Sequence, residues 1–317
     1  MSLNEAARQL CDRAITQSNS LRIAHRTIAG ATVLDAGVES PGSLAAGLLL
    51  ARVCLGDAAD VRFVVEDSER HLSDIGISVR TDQPLLACLG GQYAGWPVQT
   101  DDYFAMGSGP MRMCRGREEM LQALSLRETT STVVGVLEAD KLPSESVIET
   151  IARDCQTSHD HVTLCVAPST SLAGTVQVVA RSVETAMHKL HARGFDVNAV
   201  LSGWGVAPLP PMAKPGDAVG GIGRTNDAIL YGGRVTLWVD AQQEQVDEIG
   251  PSVPSVSSPD HGRPFAEIFK DYGYDFYQVD PHLFSPAVVT IVNLRSGIAR
   301  RFGEVATDVL RRSFGVA

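Results

Sequence analysis

The 317-residue sequence contains no G-x-x-x-x-G-K-[ST] loop and no G-x-S-x-G elbow. Both the P-loop and the serine-hydrolase signatures are therefore missing. It is also poor in positive charge: 27 Lys and Arg stand against 37 Asp and Glu, a net charge of −10. That balance excludes a general basic surface for nucleic acid. The six cysteines, at 11, 54, 88, 114, 155 and 165, form no C-x-x-C and have no histidines at zinc-finger spacing. They read as reduced, mostly buried thiols of a cytoplasmic protein. In GGIGRTNDAILYGG (220–233) Asn226 stands where a dinucleotide fingerprint needs its third glycine, which argues against a nicotinamide enzyme. The opening MSLNEAARQLCDRAITQSNSL has no apolar core of the signal-peptide kind. Two stretches lack charge, Gln83–Thr100 and Val162–Ala180. Both contain proline, and neither makes a membrane span.

What is present is the composition of a soluble globular protein, 44% hydrophobic and 20% charged. The length suits one large or two moderate domains. Apolar patterning predicts strands at Thr32–Ala36, Val61–Glu66, Ile75–Arg80, Ser131–Leu137, Val162–Val166, Asn198–Trp204, Val235–Val239 and Ala287–Leu294. Helices are predicted at Asn4–Asn19, Gly42–Leu55, Arg117–Leu126, Ser144–Cys155, Phe265–Tyr272 and Glu304–Phe314. Ala207–Arg224 reads as a Pro/Gly-rich connection. The mixture is α/β in the broad sense (α+β, mixed sheets), with a first lobe over 1–130 and a second over 131–317. VLDAGVESPGSLAAGLLLAR (33–52) and LCVAPSTSLAGTVQVVAR (164–181) share a strand, a Pro/Ser turn, an SLA segment and a helix reaching an arginine. Such a duplication implies two similar lobes.

The segment His161–His191 is the richest. After the strand, Ser169, Thr170 or Ser171 is placed to cap one long helix. Val176, Val179, Val183, Met187 and Leu190 form its apolar stripe, and Gln177, Arg181, Glu184, His188 and His191 a polar one. Arg181 and Glu184, three apart, are helix neighbours. On spacing alone they are a solvated pair worth about 0.2–0.5 kcal/mol. However, they end a charge-free stretch, which points to charges admitted to a buried region. A carboxylate beside a guanidinium on a rigid element is a candidate general-base pair.

Other constellations carry two readings each. GSGPMR (107–112) offers amides and Arg112 for an anion or carbonyl, or is a simple turn. GGQYAGW (90–96) offers Gln92, Tyr93 and Trp96 for stacking on a flat ring, or places Trp96 in the core. Arg224, Asn226 and Asp227 suit a polar heterocycle, or mark a capped helix or hairpin start. His159 and His161 could begin a metal site, but no matching ligand cluster is evident.

In order along the chain, ACLGGQYAGW (87–96), AMGSGPMR (105–112), APSTSLAGTVQVVARSVETAMHKL (167–190), GRTNDAILYGG (223–233) and DPHLFSPAVVTIVN (280–293) resemble the methenyltetrahydromethanopterin cyclohydrolase family. The resemblance implies two α/β lobes with a pocket between them and a homo-oligomer, a trimer being favoured. It implies reversible hydrolysis of the methenyl bridge of a pterin C1 carrier to the 5-formyl product, with no metal and no organic cofactor. Carried onto this sequence, it makes Arg181 and Glu184 catalytic. Gln92, Tyr93, Trp96, Ser108, Arg112, Ser169, Arg224, Asn226, Asp227, Phe284 and Ser285 then become the candidate substrate-binding residues. The family's pocket lysine has no counterpart in Gln83–Thr100, which contains no lysine. The rival readings are a metal-dependent amidohydrolase using His159 and His161, a non-catalytic pterin-binding scaffold, and an enzyme acting on a folate-type carrier.

Overall fold

A computed structural model describes residues 2–316. Among them are twelve strands: β1 (Ala24–Ile28), β2 (Ala31–Asp35), β3 (Asp60–Val65), β4 (Ile75–Thr81), β5 (Trp96–Gln99), β6 (Phe104–Ser108), β7 (Val133–Glu138), β8 (Val162–Val166), β9 (Val200–Pro208), β10 (Arg234–Val239), β11 (Val288–Asn293) and β12 (Ile298–Gly303). They build two six-stranded mixed sheets, one in each of two compact units. Each unit is discontinuous in sequence: Met1–Ala59 with Leu86–Gln177, and Asp60–Leu85 with Val178–Ala317.

The first unit carries the sheet β1-β2-β8-β7-β6-β5, in which β2, β8 and β7 are parallel. All five residues of β8 are buried, as expected of a parallel strand covered on both faces. Val33, Val133 and Leu164 face a cluster with Val147, Ile148 and Ile151 of the helix Glu145–Cys155. Leu34, Val134 and Cys165 face the opposite cluster, with Leu10 of the helix Leu3–Thr16 and Leu50 of the helix Leu44–Cys54. All six cysteines lie in this unit, and all are buried free thiols.

The two copies of the suspected repeat do not fall one in each lobe. Their strands β2 and β8 are hydrogen-bonded neighbours in this single sheet. Their serines do the same local work: Ser43 Oγ accepts from the Ala46 amide and Ser171 Oγ from the Gly174 amide, both at 3.0 Å. Each therefore satisfies an orphan donor at a helix start. The following helices touch through Gly47, where an added Cβ would lie 2.8 Å from Val176 Cγ1 and 3.0 Å from the Ala173 carbonyl oxygen.

The second unit carries β12-β11-β10-β9-β4-β3. Here β10 and β11 run parallel and the other pairs antiparallel. Burial alternates along β10, with Val235, Leu237 and Val239 inward, the mark of a sheet with one wetter face.

Three predicted elements differ from the structure. The long helix after β8 is two helices, Leu172–Val179 and Ser182–Ala192. Four of the five residues 175–179 are β-branched, which weakens helix propagation, and the Arg181 amide closes on the Val178 carbonyl, only three residues back. Within Gln83–Thr100, read as an uncharged stretch, lies a π-helix, Leu85–Gln92, with the Tyr93 amide on the Cys88 carbonyl at 2.9 Å. GGIGRTNDAILYGG, read partly as connection, lies almost wholly in the helix Ala218–Gly232, whose start Asp217 caps through the Gly220 amide at 2.8 Å.

The Gly47 contact makes a prediction. Gly47→Ala adds a better helix former by about 1 kcal/mol, yet is expected to destabilise by about 1–3 kcal/mol through overpacking. Urea unfolding monitored by circular dichroism checks the sign.

Candidate active site

The helix Ser182–Ala192 is brought onto its sheet by two glycines of β9. A Cβ on Gly203 would lie 2.7 Å from Val183 Cγ1, and one on Gly205 would lie 2.5 Å from Ser182 Oγ and 2.9 Å from Val183 Cγ2. Side chains there would hold the helix start away from the sheet. Because the preceding helix ends at Val179, a fresh N-terminus opens here. Arg181 takes the N-cap position and Glu184 lies in the first turn. The positive end of the helix dipole there favours a carboxylate. Arg181 is 7% exposed and Glu184 3%. The pair is therefore not solvated surface, and of the two readings open on spacing the buried one holds. His188 and His191, further along the polar stripe, are half-buried.

The same helix fixes a second element of the unit. Lys189 is 1% exposed, and its Nζ donates to Ser257 Oγ at 3.1 Å and to the His282 carbonyl. Burial pulls this ammonium down to about 8, while Asp280 acts to raise it. His282 belongs to the short turn Pro281–Leu283, which Asp280 caps through the His282 amide at 3.0 Å. Phe284 and Ser285 follow directly. Phe284 stacks on Phe276 at 4.8 Å between centroids, and Ser285 is fully buried. Nothing in the sequence singled out Lys189. The available signal was its place three residues after Ala186 and one before Leu190, both of them buried.

Arg224, Asn226 and Asp227 each bond to the protein's own backbone. Arg224 Nη1 donates to the Pro211 and Met212 carbonyls at 3.2 and 2.8 Å. Asn226 Nδ2 donates to the Ile222 carbonyl at 2.8 Å. Asp227 Oδ1 accepts from the Phe265 amide at 2.9 Å, so it caps the helix Phe265–Asp271 from outside. Burial drives the Asp227 carboxyl up to about 7, against the Ser313 hydroxyl and the Phe265 amide, which act to lower it.

In the first unit, Arg112 is fully buried and does bind carbonyls, but they are those of the chain. Its Nη1 reaches the Leu89, Gly90 and Gly91 carbonyls at 3.0, 3.3 and 3.3 Å. Its other nitrogens grip Glu118, with Nε to Oε1 at 2.9 Å. Arg112 thus fastens the end of the π-helix, where Gln92 is buried, and lies 5.0 Å over the ring of half-buried Tyr93. Trp96 follows its core reading, 1% exposed with Arg115 4.5 Å over the ring. Ser108 closes β6, with its Oγ 3.4 Å from Cys54 Sγ. Ser169 is buried, and its carbonyl accepts from Thr175 Oγ1 at 3.1 Å. His159 Nδ1 lies 3.0 Å from the Ala29 carbonyl oxygen. Among the described residues no three His, Cys, Asp or Glu side chains converge on a metal-sized site.

Comparison with known proteins agrees with the sequence motifs. A family described as cyclohydrolase (MCH) matches residues 2–314. A methenyltetrahydromethanopterin cyclohydrolase from Rhodopirellula baltica is 62% identical over 293 residues, covering 92% of this chain and 88% of the relative. Proteins of that name from Methylobacillus flagellatus and Methanococcoides burtonii are 41% and 38% identical, covering 99% and 100% of this chain and 95% and 99% of the relatives.

The Asp227 carboxyl gives a signed prediction. Raised from its ordinary 3.8 to about 7, it binds a proton in the folded state that the unfolded chain has already lost. Stability should therefore fall as pH rises from about 4 to about 7, by up to about 1.4 kcal/mol per pH unit. Asp227→Asn, which keeps the acceptor for the Phe265 amide, should remove that slope and melt higher than the parent at pH 8. Melting curves from pH 5 to 8 decide it.

Proposed function

The chain belongs to the methenyltetrahydromethanopterin cyclohydrolase family, and on that premise we propose that it reversibly hydrolyses 5,10-methenyl-tetrahydromethanopterin to 5-formyl-tetrahydromethanopterin. The observation that carries the reading is a buried glutamate at a helix N-terminus, three residues from a buried arginine.

The substrate is an amidinium cation, its reacting carbon bridging N5 and N10. Glu184, ionised, takes a proton from water as the oxygen bonds to that carbon. The resulting adduct collapses with cleavage of the carbon–N10 bond, and the same carboxyl delivers a proton to N10. One water is consumed, and one proton is released overall, because a cation becomes a neutral formyl compound. The carboxylate also offsets the charge of the bound cation before attack. Arg181 holds the carboxylate in place and keeps the pair together in a site poor in water.

The pterin carrier is substrate here. The same reading makes the protein a cytoplasmic homotrimer that needs neither a resident metal nor an organic cofactor.

The test is the decay of methenyl-tetrahydromethanopterin absorbance with purified, chelator-treated protein. Glu184→Gln should lose about 10²–10⁴-fold in kcat while still binding the substrate. Wild-type turnover by that variant would end the role of Glu184. Activity lost on chelation would point to metal-assisted hydrolysis instead, and binding without decay to a carrier protein.

A further inference from the structure

A lysine is almost never fully buried unless something holds its charge. Lys189 is such a residue, and no step of the reaction above uses it. Its two partners are informative. Ser257 is a neighbour of Ser258, whose hydroxyl donates to Asp280 Oδ2 at 2.5 Å. The other partner is the carbonyl of His282 itself. The turn Pro281–Leu283 is thus fastened at three points: Asp280 Oδ1 on the His282 amide, Asp280 Oδ2 on Ser258, and the His282 carbonyl on Lys189. Only the last of these ties the turn to the helix that carries Glu184. The two residues after the turn are Phe284 and Ser285, and Ser285 is further braced by its amide on the Leu283 carbonyl at 2.7 Å.

Packing alone would be served by a methionine of similar length, without the desolvation cost of an ammonium. What the ammonium adds is a directed donor on a long stem, able to reach a backbone carbonyl across the gap between two elements. We propose that Lys189 is a positioning residue that sets the spacing between Glu184 and the Phe284–Ser285 segment, and so governs substrate binding rather than the chemical step. The proposal rests on the functional reading above for the roles of Glu184, Phe284 and Ser285.

Steady-state kinetics of Lys189→Met on methenyl-tetrahydromethanopterin test it. The expected result is a KM raised about tenfold or more with kcat within about threefold, the pattern of lost uniform binding. Lys189→Arg, which keeps a buried donor, should recover part of the KM. A fall in kcat at unchanged KM, or no change in either, overturns the proposal. If Lys189→Met does not fold, Lys189→Leu removes the same donor with a shorter apolar side chain, and an unchanged KM there overturns it equally. Hydrogen exchange separates this idea from the functional reading. If the parent enzyme has no activity on this substrate, the amides of residues 282–285 and 287 should still exchange faster in Lys189→Met, or in Lys189→Leu where the former does not fold, than in the parent. Equal exchange shows that Lys189 does not hold the turn.

Discussion

The interruption at Ala180–Arg181 is the constraint on which the candidate site depends. A continuous helix would place Glu184 in mid-helix, where every amide is already bonded to a carbonyl four residues back. The break instead gives it a place in the first turn of a new helix, at the positive end of the helix dipole. Burial makes this matter, because a field from oriented dipoles is worth more where water is excluded. The break is in turn made useful by β9. Gly203 and Gly205 point the same way along the strand, and together they let Ser182 and Val183 seat directly on the sheet.

A common device recurs in both units. Buried charged groups are spent on backbone atoms far away in sequence: Arg112 on the carbonyls of residues 89–91, Asp227 on the Phe265 amide, Lys189 on the His282 carbonyl. Each joins the irregular end of one element to a regular partner. Ends of helices and turns are where backbone groups go unsatisfied, so a side chain that supplies the missing partner fixes both position and conformation. In these three cases the buried charge holds the framework still.

This also explains what could be read from the sequence. Strands β8, β10 and β11 and the helices Leu44–Cys54 and Glu145–Cys155 were legible because burial forces a pattern on them: continuous apolar for β8, alternating for β10. The burial of Arg181 and Glu184 was legible because they end a long uncharged stretch. Strands β1 and β12 were not. Their residues, AHRTI and IARRFG, are largely exposed at sheet edges, where no core imposes a period. The π-helix at Leu85–Gln92 was illegible for a different reason: its register depends on carbonyls gripped by Arg112, a residue about twenty positions away. Residue type told which side chains are rich in hydrogen bonds. It could not tell that Arg224 and Asp227 meet backbone.

The distribution of sulfur has a practical consequence. Every native thiol lies in the unit built from Met1–Ala59 and Leu86–Gln177, and each is shielded. Residues 60–85 and 178–317 contain none. A maleimide dye therefore reports the opening of one half of the chain and is blind to the other, since a shielded sulfur reacts only when its surroundings give way. One cysteine installed at Val65, 92% exposed, would react at once and carry a fluorophore. The two halves could then be watched separately in a single polypeptide without removing any native residue from the interior.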